Sequence, residues 1–540
     1  LFVVESVRAG LQDSAGNTTP RVQAVIAARL AQLTPSAYDL AGLAATIGRS
    51  FSFDLLAKAT DWDEDSLSRA LEELWQRRII EGMGAGSYDY THDLLREEAY
   101  TELSPVRRRF LHRRVARALE ELHSAEMESI SGRLAAHFEA AGMAEQAIRH
   151  YLSAAAVARQ RYSDSEAATL IRRALALCRD LPETARRDEQ EVELLVSLGP
   201  ALVTTQGYSA PEIGETYARA LTLSRRLGET QYIFSALGGS WLFHLVGGQL
   251  EESRKLAQQC LDAAGGEADP TLSTAGHFLL GSSLFHLGRL ERSRENLNQA
   301  LAAYPGPPHS ALSLFAGPDL GVFCRSYLAQ VLWLMGRVQE IPPPSSDAIS
   351  LARELSHPFS LAIALDYAAM LHVFREEIQA ALDRAEEAAA VCRKHGFAYY
   401  LAWADIVTGW ATARVGEPAL GLAKLRHGLD ALKGLGAEIR LPLYYGLLAE
   451  VCGLAGQEGE ALASLSSAFA FQSKNEEVWF SPELHRIYGD LLLRSGNEAE
   501  AQVHYQRAIE AARQSGAQMF ERRASERLLL KRWNAHSPPA

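Results

Sequence analysis

The stretch YDYTHDLLREEAY, residues 88–100, sets a histidine and an aspartate side by side where two rhythms meet. Tyr88 to Thr91 alternate as a short strand does, and from Asp93 the apolar residues recur with helical spacing. His92 and Asp93 therefore stand at a helix N-terminus. Unpaired backbone N–H groups make such a place an anion site, and a histidine there adds a donor. The alternative is a histidine that simply packs.

Two other groups of residues could do chemistry. Phe278, Phe285, Phe323, Trp333, Trp403 and Trp410 recur on one face of successive helical stretches, and further along that face carries Glu450, Glu483, Arg486 and Asp490. An apolar groove with a charged end suits a peptide, a protein helix or a small effector. A stripe at a 3.6-residue period is equally what an interhelical core looks like. The second group is VRRRFLHRR, residues 106–114, where Arg107, Arg108, Arg109, Arg113 and Arg114 form a strongly basic patch. It reads as a solvated helix face or as a contact for DNA or another anion.

Several chemistries have no motif here. No Gly-Lys pair occurs, so the chain has no P-loop, and no G-x-S-x-G or H-E-x-x-H appears. The five cysteines form no CxxC or Cys/His cluster, so no metal site is suggested and reduced, buried thiols are expected. No enzyme activity and no cofactor are expected of this chain alone.

The elements that must position these residues have two rhythms. Within residues 21–123, RVQAVIAARLAQL, TPSAYDLAGLAATIG, SFSFDLLAKAT and DEDSLSRALEELWQRR each read as a helix. Thr34 is an N-cap before Pro35 at the first helical position. IIEGMGAGSYDYTHD then alternates, with GAG as a hairpin turn. Helices followed by a two-strand wing predict a winged helix. The helix preceding the wing carries Asp61, Asp63, Glu64, Asp65, Glu72 and Glu73, a face that repels phosphate, so DNA binding is not expected.

From about residue 127 the pattern is helical almost without a break. Gly248, Gly288, Gly336, Gly416, Gly456 and Gly496 each end an apolar helix and precede a charged one, mostly 40 residues apart, with Glu376 in the missing slot. Seven residues earlier stands a small residue: Gly281, Ala329, Ala369, Gly409, Ala449 or Gly489. A small, a larger and a small residue follow each turn, as with Ala501, Tyr505 and Ala508 after Gly496. Helices can cross closely only where side chains are small. This pattern resembles the tetratricopeptide repeat, with longer helices. Eight extra residues are expected within YPGPPHSALSLFAGPDLG. After Gly336 the triple proline Pro342–Pro344 predicts a helix that starts late, near Asp347, with a break there that could hinge.

The predicted fold class is therefore all-α: a winged-helix domain with a short β wing, then a TPR-like α-α superhelical solenoid. Residues 1–20 read as the tail of a nucleotide-binding region, 21–123 as the winged helix with connecting helices, 124–203 as a helical linker with irregular repeats. Residues 204–515 read as the repeats and 516–540 as a capping helix and tail. With 540 residues, net charge −12 and no apolar run long enough to span a bilayer, a cytoplasmic protein without membrane contact is expected. Leu1 rather than Met opens the sequence, which predicts a longer parent chain.

A winged helix ending in His-Asp-Leu-Leu-Arg-Glu resembles the corresponding domain of the signal-transduction ATPases with numerous domains. That family includes plant resistance and apoptosome proteins and bacterial regulators of the MalT type. The resemblance implies that His92 touches the β-phosphate of bound ADP and locks a closed state, with Asp93 supporting the turn. The opening LFVVESV resembles the segment directly after that family's Gly-Asn-Pro. With GYSAPEIGETYARA and HPFSLAIAL, the chain resembles the C-terminal half of large bacterial proteins. Those set an adenylate cyclase or a transcriptional activator domain ahead of an ATPase and repeats. The implied partners are the protein's own nucleotide-binding domain with ADP or ATP, a protein or small effector in the groove, and self-association. The alternatives are a TPR scaffold without a switch and a winged-helix DNA binder.

Overall fold

The computed structural model describes residues 20–536 apart from 85, 162, 229, 266–269, 307–318 and 341. The opening LFVVESV and most of the expected insertion lie outside the described residues. Two compact units form, Leu1–Glu183 and Thr184–Ala540.

The first unit runs α1 (Pro20–Leu30), α2 (Pro35–Ile47), β1 (Ser50–Ser52), α3 (Phe53–Ala59), α4 (Glu64–Gln76), β2 (Ile80–Gly84) and β3 (Ser87–Tyr90). It continues with α5 (Asp93–Thr101), α6 (Pro105–Leu122), α7 (Met127–Ala140), α8 (Ala144–Gln160) and α9 (Asp164–Arg179). The cap read from the residue types is made, Thr34 Oγ1 accepting from Ala37 N, and Asp63 caps α4 as well, its Oδ1 accepting from Ser66 N. Thr34 also bonds Glu73, tying α2 to α4. The strands form an antiparallel sheet in the order β1-β3-β2, with Phe51 opposite Tyr88 and Ile80 opposite Tyr90. The buried Tyr90 hydroxyl donates to Ala41 O and pins the sheet on α2.

One expected element is corrected here. SFSFDLLAKAT is not one helix: Ser50–Ser52 is a strand, and α3 starts only at Phe53. Alternation puts Phe51 inward, where its ring lies 6.1 Å from Tyr88 and 6.0 Å from Tyr90. Ser52 then ends the strand and caps the helix, accepting from Leu55 N.

Among its described residues the second unit has helices and no strand. It begins with α10 (Ala185–Gln206), α11 (Pro211–Leu227), α12 (Thr230–Val246), α13 (Leu250–Ala264), α14 (Pro270–His286) and α15 (Leu290–Ala303). Then come α16 (Leu320–Leu334), α17 (Pro342–Glu354), α18 (Pro358–Phe374), α19 (Ile378–His395), α20 (Ala398–Arg414) and α21 (Pro418–Gly434). It closes with α22 (Leu441–Leu454), α23 (Glu458–Asn475), α24 (Ser481–Arg494), α25 (Glu498–Ser515) and α26 (Gln518–His536). These are helix pairs of the predicted kind. At the Gly409 crossing, an added Cβ would stand 2.5 Å from Leu425 N and 2.7 Å from Gly421 O, so the helices meet backbone to backbone. Ala501, Tyr505 and Ala508 are fully buried, as their spacing predicts.

The prolines behave differently from expectation. α17 starts on Pro342 rather than near Asp347. The first-turn N–H groups of any helix lack intrahelical partners, so prolines there remove no bond.

The pairs of the second unit wind until later ones touch earlier ones. Glu438 N and Ile439 N donate to Val246 O, at 2.8 and 3.1 Å. Tyr208 meets Tyr399 with ring centroids 5.0 Å apart, and Phe285 meets Trp479 at 4.7 Å. Gly336 lies against Gln518. The inner faces of the first helices are thus covered by the unit's own loops.

Candidate functional site

Arg440 stands at the centre of this interior. It precedes α22 in the short loop after α21, is 2% exposed, and adopts a left-handed backbone with φ 64°. Its guanidinium carbon lies 4.8 Å from the Trp403 ring centroid, 5.0 Å from Tyr367, 5.4 Å from Phe285, 5.6 Å from Trp479 and 5.7 Å from Tyr327. Five ring faces replace the water this cation has lost. Its Nη1 reaches Gln330 Oε1 at 3.3 Å, and its backbone N–H donates to Glu477 Oε2 at 2.8 Å. Glu477 also accepts from Trp479 Nε1 and bonds His286. Burial pushes the His286 imidazole down to about 4 against the pull of Glu477. The neutral tautomer fits: Nδ1–H donates to Glu477 and Nε2 accepts from the Tyr327 hydroxyl, 3.2 Å away. Asp366, nearby in α18, is fully buried with no hydrogen-bond partner; burial, with Asp405 adding to it, raises its pKa well above the carboxylate range.

One step along the same interior, five consecutive first helices converge on a cleft whose enclosed room is about 20 Å³, enough for one water-sized group. α18 supplies Phe374 and, from its terminal turn, Glu376. α20 supplies Trp410 and Arg414, and α22 supplies Glu450. α24 supplies Glu483 and Arg486, with Phe480 just before it, and α26 supplies Arg523. Glu450 accepts from Trp410 Nε1 at 2.8 Å and from Arg414 at 3.0 Å. Arg486 bridges Glu483 at 2.9 Å and Asp490 at 2.6 Å. Arg523 reaches Glu483 at 3.3 Å, and its guanidinium carbon lies 5.1 Å from the Trp333 ring centroid. Burial would raise the Glu483 carboxyl, but Arg486 and Arg523 outweigh it and hold it below the usual glutamate range. Its Oε2 takes both arginines, while Oε1, equally buried, has no hydrogen-bond partner. Such an acceptor costs roughly 1–3 kcal/mol.

Glu376 has a related oddity. It fills the glycine slot of the repeat and adopts the same left-handed backbone, φ 56°. A residue with a Cβ is disfavoured there by on the order of 1 kcal/mol. Its carboxylate lies 3.6 Å from Arg414 and 3.8 Å from Arg523, which is what glycine could not supply.

The predicted groove residues thus separate. Trp410, Glu450 and Arg486 line the cleft; Asp490 braces Arg486 and Trp333 lies against Arg523. Phe285 and Trp403 surround Arg440, and Phe278 and Phe323 stack on each other beside them. All but Phe323 of the six aromatics are buried in the core. Arg440, Glu477, Arg414 and Arg523 were missed. Their signal was faint: Arg440 and Glu477 sit in inter-pair loops followed by a proline in the first turn of the next helix, Pro442 and Pro482, forty residues apart.

In the first unit His92 is the N-cap of α5, its Nδ1 accepting from Leu94 N at 3.3 Å. Asp93 is exposed and pairs with Arg49 at 3.3 Å. The basic patch is largely engaged. Arg107 pairs with Asp39 and Arg114 with Asp61, while Arg108 caps the end of α5 through Tyr100 O and Thr101 O. Arg109 and Arg113 are exposed. Beneath them, His112 and His137 share a 2.9 Å hydrogen bond, and burial pushes them to about 4 and about 3. Among the described residues, no group of three or more metal-ligating side chains gathers and no helix is long and apolar enough to cross a membrane.

No family model matches the chain. An uncharacterised protein of Rhizobium meliloti is 26% identical over 514 residues, 93% of this chain; the chain spans about half (49%) of that protein's length. Among solved structures, a Rap protein complexed with competence and sporulation factor is matched over 69% of this chain and 99% of its own, with TM-score 0.51 and 13% identity. A signal-transduction ATPase with numerous domains carrying a tetratricopeptide repeat sensor, from Pyrococcus horikoshii, is matched over 91% of this chain and 68% of its own, with TM-score 0.48 and 12% identity. The Rap match agrees with the all-α repeat fold described above.

Proposed function

We propose that this chain is the regulatory and sensor half of a nucleotide-switched signal-transduction protein. The repeat array binds a protein or peptide effector, and residues 21–123 relay that event to a nucleotide-binding domain outside this chain. The observation that carries the sensor role is the cleft, where five first helices bring charged and aromatic groups to one place around an unpartnered carboxylate oxygen. The Rap protein of similar fold, complexed with competence and sporulation factor, is consistent with an effector on such an array.

The relay is supported by residues 35–90, whose helix–strand–helix–helix–strand–strand order is that of a winged helix. It is supported also by the place of His92, the N-cap residue of α5, since a helix N-terminus favours a phosphate. In this reading ADP holds the resting state through His92, Asp93 supports the turn, and effector binding shifts the population toward an ATP-bound form. The output is a cyclase or a transcriptional activator. The test uses the full-length protein. His92→Ala should release bound ADP at least tenfold faster, and effector should do the same to the wild type. If ADP retention is unmoved in both, the relay is wrong.

A scaffold without a switch is the second reading, and the buried state of the aromatic stripe favours it. DNA binding is disfavoured, since three of the five patch arginines are engaged within the unit.

A further inference from the structure

We propose that the cleft receives a lysine or arginine side chain of a basic peptide, anchored on the buried oxygen of Glu483. This rests on the sensor reading above and names the effector's chemistry. Glu483 is 3% exposed and lines the cleft, and its Oε1 is an acceptor without a donor. A ligand that supplies N–H groups completes it; a ligand that supplies oxygens does not.

The guanidinium groups argue the same way. Arg486 already holds Glu483 and Asp490, Arg523 holds Glu483 and the Phe374 carbonyl, and Arg414 holds Glu450. An anionic ligand would have to displace carboxylates from each. A cation enters without breaking a pair. The walls suit the rest of such a side chain. Phe374, Trp410, Phe480, Val373, Leu447 and Ile487 give the cleft apolar walls against which a methylene stem can lie, the Trp410 face itself already carrying Arg414 at 5.2 Å. The enclosed room, about 20 Å³, takes one water-sized group such as an ammonium head, so the recognised unit is the tip of a single side chain presented by a peptide. The charged lining is balanced, with Arg414, Arg486 and Arg523 matched by Glu376, Glu450 and Glu483.

The test is titration of the whole chain with acetyl-trilysine amide and, separately, acetyl-triglutamate amide, followed by tryptophan fluorescence and calorimetry. Trilysine should bind and weaken with salt, triglutamate should not, and Glu483→Gln should weaken trilysine at least tenfold. Glu483→Gln also loosens two arginines, so Val373→Phe, which fills the cleft and leaves every charge in place, provides the independent variant. It should abolish binding with the fold retained by circular dichroism. Trilysine that binds both folded variants as it binds the wild type, or does not bind at all, overturns the inference. Triglutamate binding that Val373→Phe blocks also overturns it, yet leaves the cleft as an effector site. If the full-length protein's effector response survives Val373→Phe unchanged, the sensor reading itself falls.

Discussion

His286 and Glu477 stand 191 residues apart and share a 2.8 Å hydrogen bond in complete burial. Burial pushes His286 down to about 4, so the folded chain binds fewer protons than the unfolded one between about pH 6.5 and 4. Stability is then complete above about pH 6.5 and falls as pH drops toward 4. His286→Gln keeps a donor for Glu477 and cannot titrate. Its urea midpoint should fall less steeply than the wild type's between pH 7 and 4.5, a difference on the order of 2 kcal/mol. Parallel pH profiles would mean that His286 is not held neutral.

Arg440 combines a packing role with a strained backbone, and two substitutions separate them. Arg440→Ala empties the space among five rings and should cost about 2–4 kcal/mol. Arg440→Gly empties it equally but relaxes the left-handed backbone, φ 64°, so it should be the less damaging by roughly 1 kcal/mol. Denaturant unfolding of the pair reads that difference, and an alanine variant as stable as the glycine one would show that the backbone there is unstrained.

Glycine positions give opposite signs. Gly409→Ala drives a methyl into the backbone of α21, which cannot yield, and should destabilise by about 2–3 kcal/mol. Gly459→Ala, in α23 with nothing within 4 Å of the added methyl, should stabilise by up to about 0.5–1 kcal/mol. Melting temperatures moving in the same direction for both would contradict the crossing geometry.

His92 as an N-cap is separable from His92 as a nucleotide contact. His92→Ala should lower the first unit's stability by about 1 kcal/mol, and His92→Ser should restore most of it by capping Leu94 or its neighbour. Hydrogen exchange along α5 measures this. Only the nucleotide role predicts that serine, with the cap restored, still fails to retain ADP in the full-length protein.

The repeat was legible because its causes are local. A small residue is required wherever two helices cross, and glycine wherever the turn is left-handed, so Gly409 and Gly496 announce themselves by type. Thr34 and Pro35 announce a helix start for the same reason. Ser50–Ser52 was illegible because three residues carry one inward position, Phe51, and one position has no period. The triple proline misled because the rule against proline in helices holds for interiors and relaxes in the first turn. The aromatic stripe could not be sorted into groove and core from spacing alone. What buries Phe285 is Trp479, and what buries Trp403 includes Arg440, and neither partner is near in sequence. Glu376 was seen as an exception to the glycine slot; its reason, two arginines from later helices, needed the fold.

In an open solenoid each repeat knows only its neighbours, and stability grows as a sum of adjacent terms. The contacts from Val246 to Glu438, Phe285 to Trp479, Gly336 to Gln518 and Phe374 to Arg523 close that line onto itself. Loops of roughly 150–190 residues must be shut before these contacts form, and the entropy of closing them is lost before the contacts offset it. The second unit should therefore melt as one body rather than fray from an end, and removing α26 alone should loosen helices that lie a third of the chain away.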